Sequence, residues 1–583
     1  MRIVAALVVV SILLIGIGVA AYLGADRLLA STYAARPSPV ASDSGFGELP
    51  LGEGGPPLAD RLVVILVDGL RGDALAAMPY SDELWARGVS AVLRLSPPVY
   101  ADASWRTLLT GASAELLGLP LLPDAQMVGP SLAAGSLLSV NIAAGRSCAL
   151  ALHTSWRRLT PDAWCSARLF VPGDDAVADQ QVADGARDME RGQPPLLLVH
   201  FSHVGVVGQR YGVRDARYRQ AAQAVDGMIR QVAAPALENG AAVAILSTYG
   251  LSASGSVMGA DAAIVEVPFF LVGPGIIPGG YDALAARDVA PTLAALVGLP
   301  APPLSEGQVR YDLLLGDGPW QTGRHLRMGA QRLALARRYL AYWGASDADL
   351  ASLTDELAAA QRAFEAGDVE TAWRTANLVM QAADGAMRVE RAAQLQRARR
   401  PRLALALVSW LLIGLFWVIA WGRRTLVVGA AALGGVVIGQ ALYWISGGRY
   451  SLASAQQIDD FQIAAMGLAA VAIAGAVVVL LGWRLWWGDD AEYPLASDVL
   501  GAAWALAWVW TLPAAIGYWR QGVSAAQHMP EVSMLFWQLW GLIHLWAIAL
   551  FATPTAWLAA GLGWLASQWM SVRSDEAQDE SGG

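Results

Sequence analysis

The sequence predicts an α/β domain with a mostly parallel sheet, tied to a membrane by one N-terminal helix and a C-terminal bundle of helices. Two observations carry that prediction. The 583 residues are 55% hydrophobic and only 15% charged, with a mean hydropathy of +0.42. That is too apolar for an ordinary soluble protein, and the excess sits in residues 3–24 and again beyond residue 402. Between these segments, short β-branched runs alternate with helical stretches, the pattern of a sheet buried on both faces.

Residues 1–25 read as a membrane anchor. Ile3 to Leu23 carries no charge and would rise ~31 Å as a helix, about one bilayer core. A cleaved signal has a shorter apolar stretch; Val19-Ala20-Ala21 keeps cleavage open, and a retained anchor is the favoured reading. Residues 26–57, rich in Pro, Gly, Ser and Ala, read as a linker.

The α/β domain is placed at residues 58–345. Leu62-Val63-Val64-Ile65-Leu66-Val67 is a buried-strand run that ends at Asp68-Gly69, and similar runs recur at Leu196–His200, Ala241–Ser247 and Val267–Val272. Ligands of such sheets bind beyond the carboxyl ends of the strands, so chemistry is expected just after each run. Cys148 and Cys165 are the chain's two cysteines. A disulfide between them would restrict the unfolded chain by about 3 kcal/mol and suits an oxidising compartment. Two small buried thiols are the alternative.

Residues 346–402 read as a helical hairpin or stalk, with Ala366-Gly367-Asp368 as stop and cap. A repeat module is the weaker reading, since one such pair is found. The bundle, residues 403–572, is expected to hold about six helices, at 403–421, 425–446, 464–483, 499–517, 534–551 and 554–571, followed by a polar tail at 573–583. Many of the 24 Trp lie near the ends of these runs, as in an interfacial belt. Polar turns separate the spans at Gly422-Arg423-Arg424, around Asp459-Asp460, at Asp489-Asp490, and from Arg520 to Glu531. With Arg423-Arg424 inside, the large domain and the C-terminus fall outside a cytoplasmic membrane crossed seven times. Within the spans, His544 and Gln440 are the notable polar residues, and packing roles are favoured for both. The net charge of −9, without a basic stripe outside the membrane flanks, argues against a nucleic-acid partner.

The motifs of residues 61–315 resemble a known family. They are Val-Asp-Gly-Leu-Arg at 67–71, Thr-Leu-Leu-Thr-Gly at 107–111, Gly208-Gln-Arg-Tyr-Gly212, Leu246-Ser-Thr-Tyr-Gly250, Val267-Pro-Phe-Phe-Leu-Val-Gly-Pro-Gly275 and Asp288-Val-Ala-Pro-Thr292. In this order and spacing they resemble the alkaline phosphatase superfamily, in its type I phosphodiesterase and nucleotide pyrophosphatase branch. The GPI ethanolamine phosphate transferases are relatives there. The resemblance implies an alkaline-phosphatase-like fold and phosphoryl chemistry on two metal ions, usually zinc, with a Thr or Ser nucleophile and Asp and His ligands.

Position by position, that ligand set is nearly absent. Asp68 stands where the family keeps its first metal-binding Asp, but the nucleophile position is Ala101. The next ligand pair falls on Gly205 and Gln209, the Asp-His pair on Thr248 and Tyr249, and the later His near Val257. None of these offers a carboxylate or imidazole. Asp102, Ser104, His200 and His203 lie nearby, and a Ser104 nucleophile with a His203 base is conceivable. Polar residues lining a vestigial pocket is the favoured reading. His153 and His325 lack ligand spacing.

The sequence therefore points to a catalytically degenerate, membrane-anchored phosphodiesterase-like domain with a binding or scaffolding role and no expected cofactor. A glycan, a lipid headgroup or other membrane or envelope proteins are candidate partners besides the bilayer. The rivals are an active zinc-dependent phosphotransferase with a remodelled site, and a subunit of a larger membrane complex.

Overall fold

The computed structural model describes residues 2–38, 40, 49, 51–122, 131–161, 163–454, 458–487, 494–523 and 528–581. Much of the expected linker (39, 41–48 and 50), the Asp489-Asp490 turn and the last two tail residues lie outside the described residues. The chain forms two compact units. One comprises Tyr33–Leu395 with Ala526–Met529, the other Met1–Thr32, Gln396–Ala525 and Pro530–Gly583.

The globular unit is built on a nine-stranded sheet. Its strands are β1 (Leu62–Val67), β2 (Val89–Arg94), β3 (Cys148–His153), β4 (Ala167–Val171), β5 (Leu196–Phe201), β6 (Ala242–Ser247), β7 (Glu266–Val272), β8 (Gly279–Gly280) and β9 (Leu284–Ala285). The order is β4-β3-β5-β1-β6-β7-β2-β8, with β9 also beside β2. The four expected runs are β1, β5, β6 and β7. Only β7 breaks the parallel pattern, running antiparallel to both β6 and β2. Every residue of β1, β3, β5 and β6 is buried, which is why the central strands are continuous apolar runs.

Register positions the site. Val67 lies opposite both Phe201 and Ser247, and the ladder continues one step, Asp68 N–H to the Phe201 carbonyl and Thr248 N–H to the Val67 carbonyl. Asp68, Ser202 and Thr248 thus leave the sheet side by side at its carboxyl edge.

The stalk is part of this unit. The helices Gly318–Tyr342, Ser352–Glu365 and the first turns of Val369–Trp421 share a core of Leu333, Ala336, Leu340, Leu353, Val379 and Ala383. Gly367, with φ +87°, makes the turn, and Asp368 caps the next helix at Thr371 N–H, 3.1 Å. The expected boundary at 402/403 is not a break: Val369–Trp421 is one helix, with Pro401 inside it. No glycine or turn sequence separates stalk from span there, and one proline alone does not end a helix whose neighbours restore its lost bond.

In the other unit the first helix runs Arg2–Tyr33, eight residues past the expected anchor. Nothing from Asp26 to Thr32 breaks a helix, and the Ser31 and Thr32 hydroxyls fold back on the Leu28 and Leu29 carbonyls, 2.6 Å each. Among the described residues, five helical stretches are long and apolar enough to cross a membrane: Val4–Tyr33, Val369–Ile445, Ile458–Trp487, Leu495–Gln521 and Val532–Trp569. The second is interrupted by a tight turn at Gly422–Arg424. Arg424 there pairs with the fully buried Asp498, 2.5 Å, which also takes Arg484, 3.0 Å.

The two last spans expected at 534–551 and 554–571 are a single helix, Val532–Ser581. Only Ala552-Thr553 separates the two apolar runs, with no polar turn for a reversal. Pro554 is accommodated, and the Thr555 hydroxyl bonds the Phe551 carbonyl at 2.8 Å. Among the described residues the C-terminal bundle therefore has five arms where six were expected. Small residues set its packing: Gly435 lies against Ala472 and Ala476, and Gly541 against the Trp510 carbonyl. His544 stacks on Trp510, ring centroids 4.1 Å apart, and bonds the Trp540 carbonyl. Gln440 accepts from the Tyr450 hydroxyl.

Candidate functional site

Asp68 follows β1 directly and is 4% exposed. Its Oδ1 accepts the Thr248 hydroxyl at 2.5 Å and the Trp105 indole N–H at 3.1 Å, and His200 Nε2 lies 3.1 Å away. The parallel register supplies His200 from β5 and Thr248 from the end of β6. Trp105 comes from the helix Ala101–Thr110, one turn beyond Ala101 and on the same face.

Gly205, Gln209 and Tyr249 complete the cluster. The Tyr249 hydroxyl accepts from Gln209 Nε2 at 3.0 Å. A Cβ on Gly205 would stand 2.5 Å from that hydroxyl and 3.0 Å from Asp68 Cβ. The tyrosine therefore occupies the space that a carboxylate on residue 205 would need. Burial, with the Asp68 charge beside it, pushes the Tyr249 pKa far up, so the phenol stays neutral. Gly69, at φ +70°, allows the same close approach, since a Cβ there would fall 2.4 Å from Gly205 Cα.

The resemblance-derived positions thus converge at 68, 205, 209, 248 and 249. Ala101 opens the Ala101–Thr110 helix after its cap, Tyr100. Val257 is half-buried in the loop after β6. Asp102 is not available for chemistry: Arg106 binds it one turn along, and Arg158 binds it at 2.6 Å. Ser104 Oγ and His203 Nδ1 are buried with no hydrogen-bond partner, and no bond joins them among the described residues. His203 is the first residue of the helix His203–Tyr211. Its N–H goes to Asp179 Oδ2 at 3.1 Å.

Three residues that sequence reasoning passed over close the site. Trp105 and Trp156 stack with centroids 4.3 Å apart, and both meet the His200 ring. The spacing of Ala101 and Trp105, one helical turn, was the available signal. Asp179, 1% exposed, takes His153 Nε2 at 2.8 Å and the Ser202 N–H at 3.0 Å. His153 Nδ1 faces the Gly173 carbonyl at 2.8 Å, so both ring nitrogens face acceptors. Burial lowers the His153 pKa, but the Asp179 hydrogen bond and charge outweigh it, and the net shift is upward. Cys148, at the start of β3, is disulfide-bonded to Cys165.

A zinc pair needs lone-pair donors from several carboxylates and imidazoles. Around Asp68 the neighbours are an indole N–H and a threonine O–H, with the His200 imidazole in contact. Among the described residues, no group of three His, Cys, Asp or Glu side chains has metal-ligand geometry. These residues do not fit a dinuclear centre.

Residues 149–267 match the family described as type I phosphodiesterase / nucleotide pyrophosphatase. The chain is 24% identical over 310 residues to the human GPI ethanolamine phosphate transferase 2 catalytic subunit, covering 48% of this chain and 30% of the relative. It is 24% identical over 425 residues to the human transferase 3 catalytic subunit, covering 63% and 36%. The chain thus spans about a third of the length of the curated relatives it matches. Among solved structures, an inactive murine ectonucleotide pyrophosphatase / phosphodiesterase 5 in complex with AMP is similar, with a TM-score of 0.36 and 14% identity. That match covers 44% of this chain and 100% of that one. The globular unit is an alkaline-phosphatase-superfamily domain of the type I phosphodiesterase kind, in a membrane protein related to those transferases.

Proposed function

We propose that this phosphodiesterase-like domain has given up dinuclear metal catalysis and serves in binding or scaffolding, held at the outer face of a cytoplasmic membrane by its helices. The single observation behind this reading is the occupation of Asp68: its Oδ1 is taken by Trp105 and Thr248, inside a closed aromatic shell. The Asp68 Oδ1 is held by donors inside the protein, and the Ala101 position offers no nucleophile. Losing the nucleophile and the cations removes covalent catalysis and transition-state charge stabilisation together.

The test is elemental analysis of the full chain in mild detergent, with turnover of generic phosphodiesters in added zinc and manganese. Substoichiometric metal and no turnover are expected. Near-stoichiometric tight metal, or turnover abolished by Asp68→Ala, would overturn the reading. A remodelled transferase site is favoured by one specific observation, the orphaned Ser104 Oγ and His203 Nδ1. Turnover lost in Ser104→Ala and His203→Ala would establish that alternative.

A further inference from the structure

The globular unit contains an open cavity of about 620 Å³ that shares no residue with the Asp68 cluster. It lies where the Gly318–Tyr342 helix and the stalk helix meet the loops at 113–116, 287–288 and 306–308. Its lining carries both signs of charge, but the two signs are not equally committed.

Each lining carboxylate already has a partner. Glu115 is bound by Arg391 and by His528, 3.1 Å. Glu306 accepts the Ser113 N–H at 2.6 Å, and Asp288 the Gln308 N–H at 2.9 Å. Asp384 pairs with the buried Arg332 at 2.5 Å. The cations differ. Arg287 and Arg388 are exposed, and neither forms an ion pair among the described residues; Arg388 makes one hydrogen bond, from Nε to the Asp384 carbonyl. Tyr339 and Trp343, half-buried with centroids 6.5 Å apart, form an aromatic wall of the same cavity.

We infer that this cavity is a binding site for a phosphorylated sugar or cyclic polyol, with Arg287 and Arg388 holding the phosphate and Tyr339 and Trp343 facing the ring. Guanidinium groups match phosphate oxygens bidentately. An aromatic wall suits a ring that is apolar on its face. Gln308 and Gln381, also on the lining, supply amides for hydroxyls. The site stands whether or not the Asp68 cluster turns over any substrate. The same chemistry occurs on a free sugar phosphate and on a lipid headgroup.

The full chain in nanodiscs tests this by equilibrium binding of glucose 1-phosphate, without reference to turnover. Saturable binding is expected, weakened at least about tenfold by Arg287→Met with Arg388→Met. Both side chains are exposed, so neither change opens a core. Trp343→Ala should weaken glucose 1-phosphate and leave inorganic phosphate unchanged. Competition by phosphatidylinositol in the nanodisc would assign a lipid-borne ligand, and saturable binding without such competition a free one. No saturable binding of either probe, or binding untouched by the double arginine change, would overturn the site. Equal loss of phosphate and glucose 1-phosphate in Trp343→Ala would remove the sugar from the proposal.

Discussion

The Asp68 cluster and the Arg287–Arg388 cavity lie in one globular unit and use the same kinds of side chain to opposite effect. At Asp68, aromatic rings seal a charge inward: Trp105, Trp156 and Tyr249 are each 4% exposed or less, and the Oδ1 of the carboxylate they surround accepts the Trp105 N–H and the Thr248 hydroxyl. At the cavity, the carboxylates are spent on the protein's own donors while two guanidinium groups remain turned to solvent. The difference shows why proximity to a family position is a poor guide to activity. What a polar group can do depends on whether its partners are already inside the protein.

The largest expected effect tests the seal. Trp105→Ala removes an indole from a closed stack and should destabilise the globular unit by about 3–5 kcal/mol. Hydrogen exchange of the β1 and β5 peptides in the full-length protein would report it. If protection is unchanged and the variant gains metal or phosphate binding, the aromatic shell is a lid over a live site, and the contrast between the two regions collapses.

A somewhat smaller effect tests the carboxylate. Asp68→Ala leaves the Trp105 N–H and the Thr248 hydroxyl buried without an acceptor, a loss of about 1–3 kcal/mol for each such group. Asp68→Asn retains an acceptor oxygen and should cost less. A functional metal ligand predicts the reverse order, since removing repulsive or strained site residues commonly stabilises the metal-free protein. A more stable Asp68→Ala variant would therefore mark Asp68 as a working residue and not a structural one.

The sequence made the central strands legible because burial on both faces leaves no polar residue in β1, β5 and β6 to confuse the pattern, apart from His200 and Ser247 near their ends. β2 and β4 were passed over because neither is a continuous buried run, and β3 because its fully buried Cys148–His153 stretch carries two alanines and a polar residue at its end. The convergence of 68, 205, 209, 248 and 249 followed from motif order, since parallel register fixes which residues leave the sheet together. The plug did not follow. Trp105 belongs to no motif, and its role depends on a cross-sheet contact that no local pattern encodes. The bundle was misread at its end for a related reason: the Pro554 signal is local, whereas the missing polar turn decides the outcome.

The smallest expected effect concerns a buried ion pair behind the seal, His153 with Asp179. His153 is 3% exposed and Asp179 1%, and His153 packs edge-on to His200 at 5.3 Å, with the Asp68 charge also favouring its protonated form. Its folded pKa lies above the ordinary 6.5. A group raised on folding contributes stability that is fully present below its unfolded pKa and lost as pH rises through the folded one. The contribution of His153 should therefore be complete below about pH 6.5 and fade above it, where a neutral imidazole has lost its charge and keeps one N–H for the two acceptors it faces, Asp179 and the Gly173 carbonyl. Hydrogen exchange of β3 and β5 between pH 5.5 and 8.5, corrected for intrinsic rates, should show protection falling with pH, and His153→Gln should flatten the dependence. The Arg287 and Arg388 changes should leave that profile alone, because guanidinium groups stay charged throughout the range. A profile that moved with the cavity variants would show that the two regions are coupled, and the sealed cluster would then have to be treated as part of the binding site it was contrasted with.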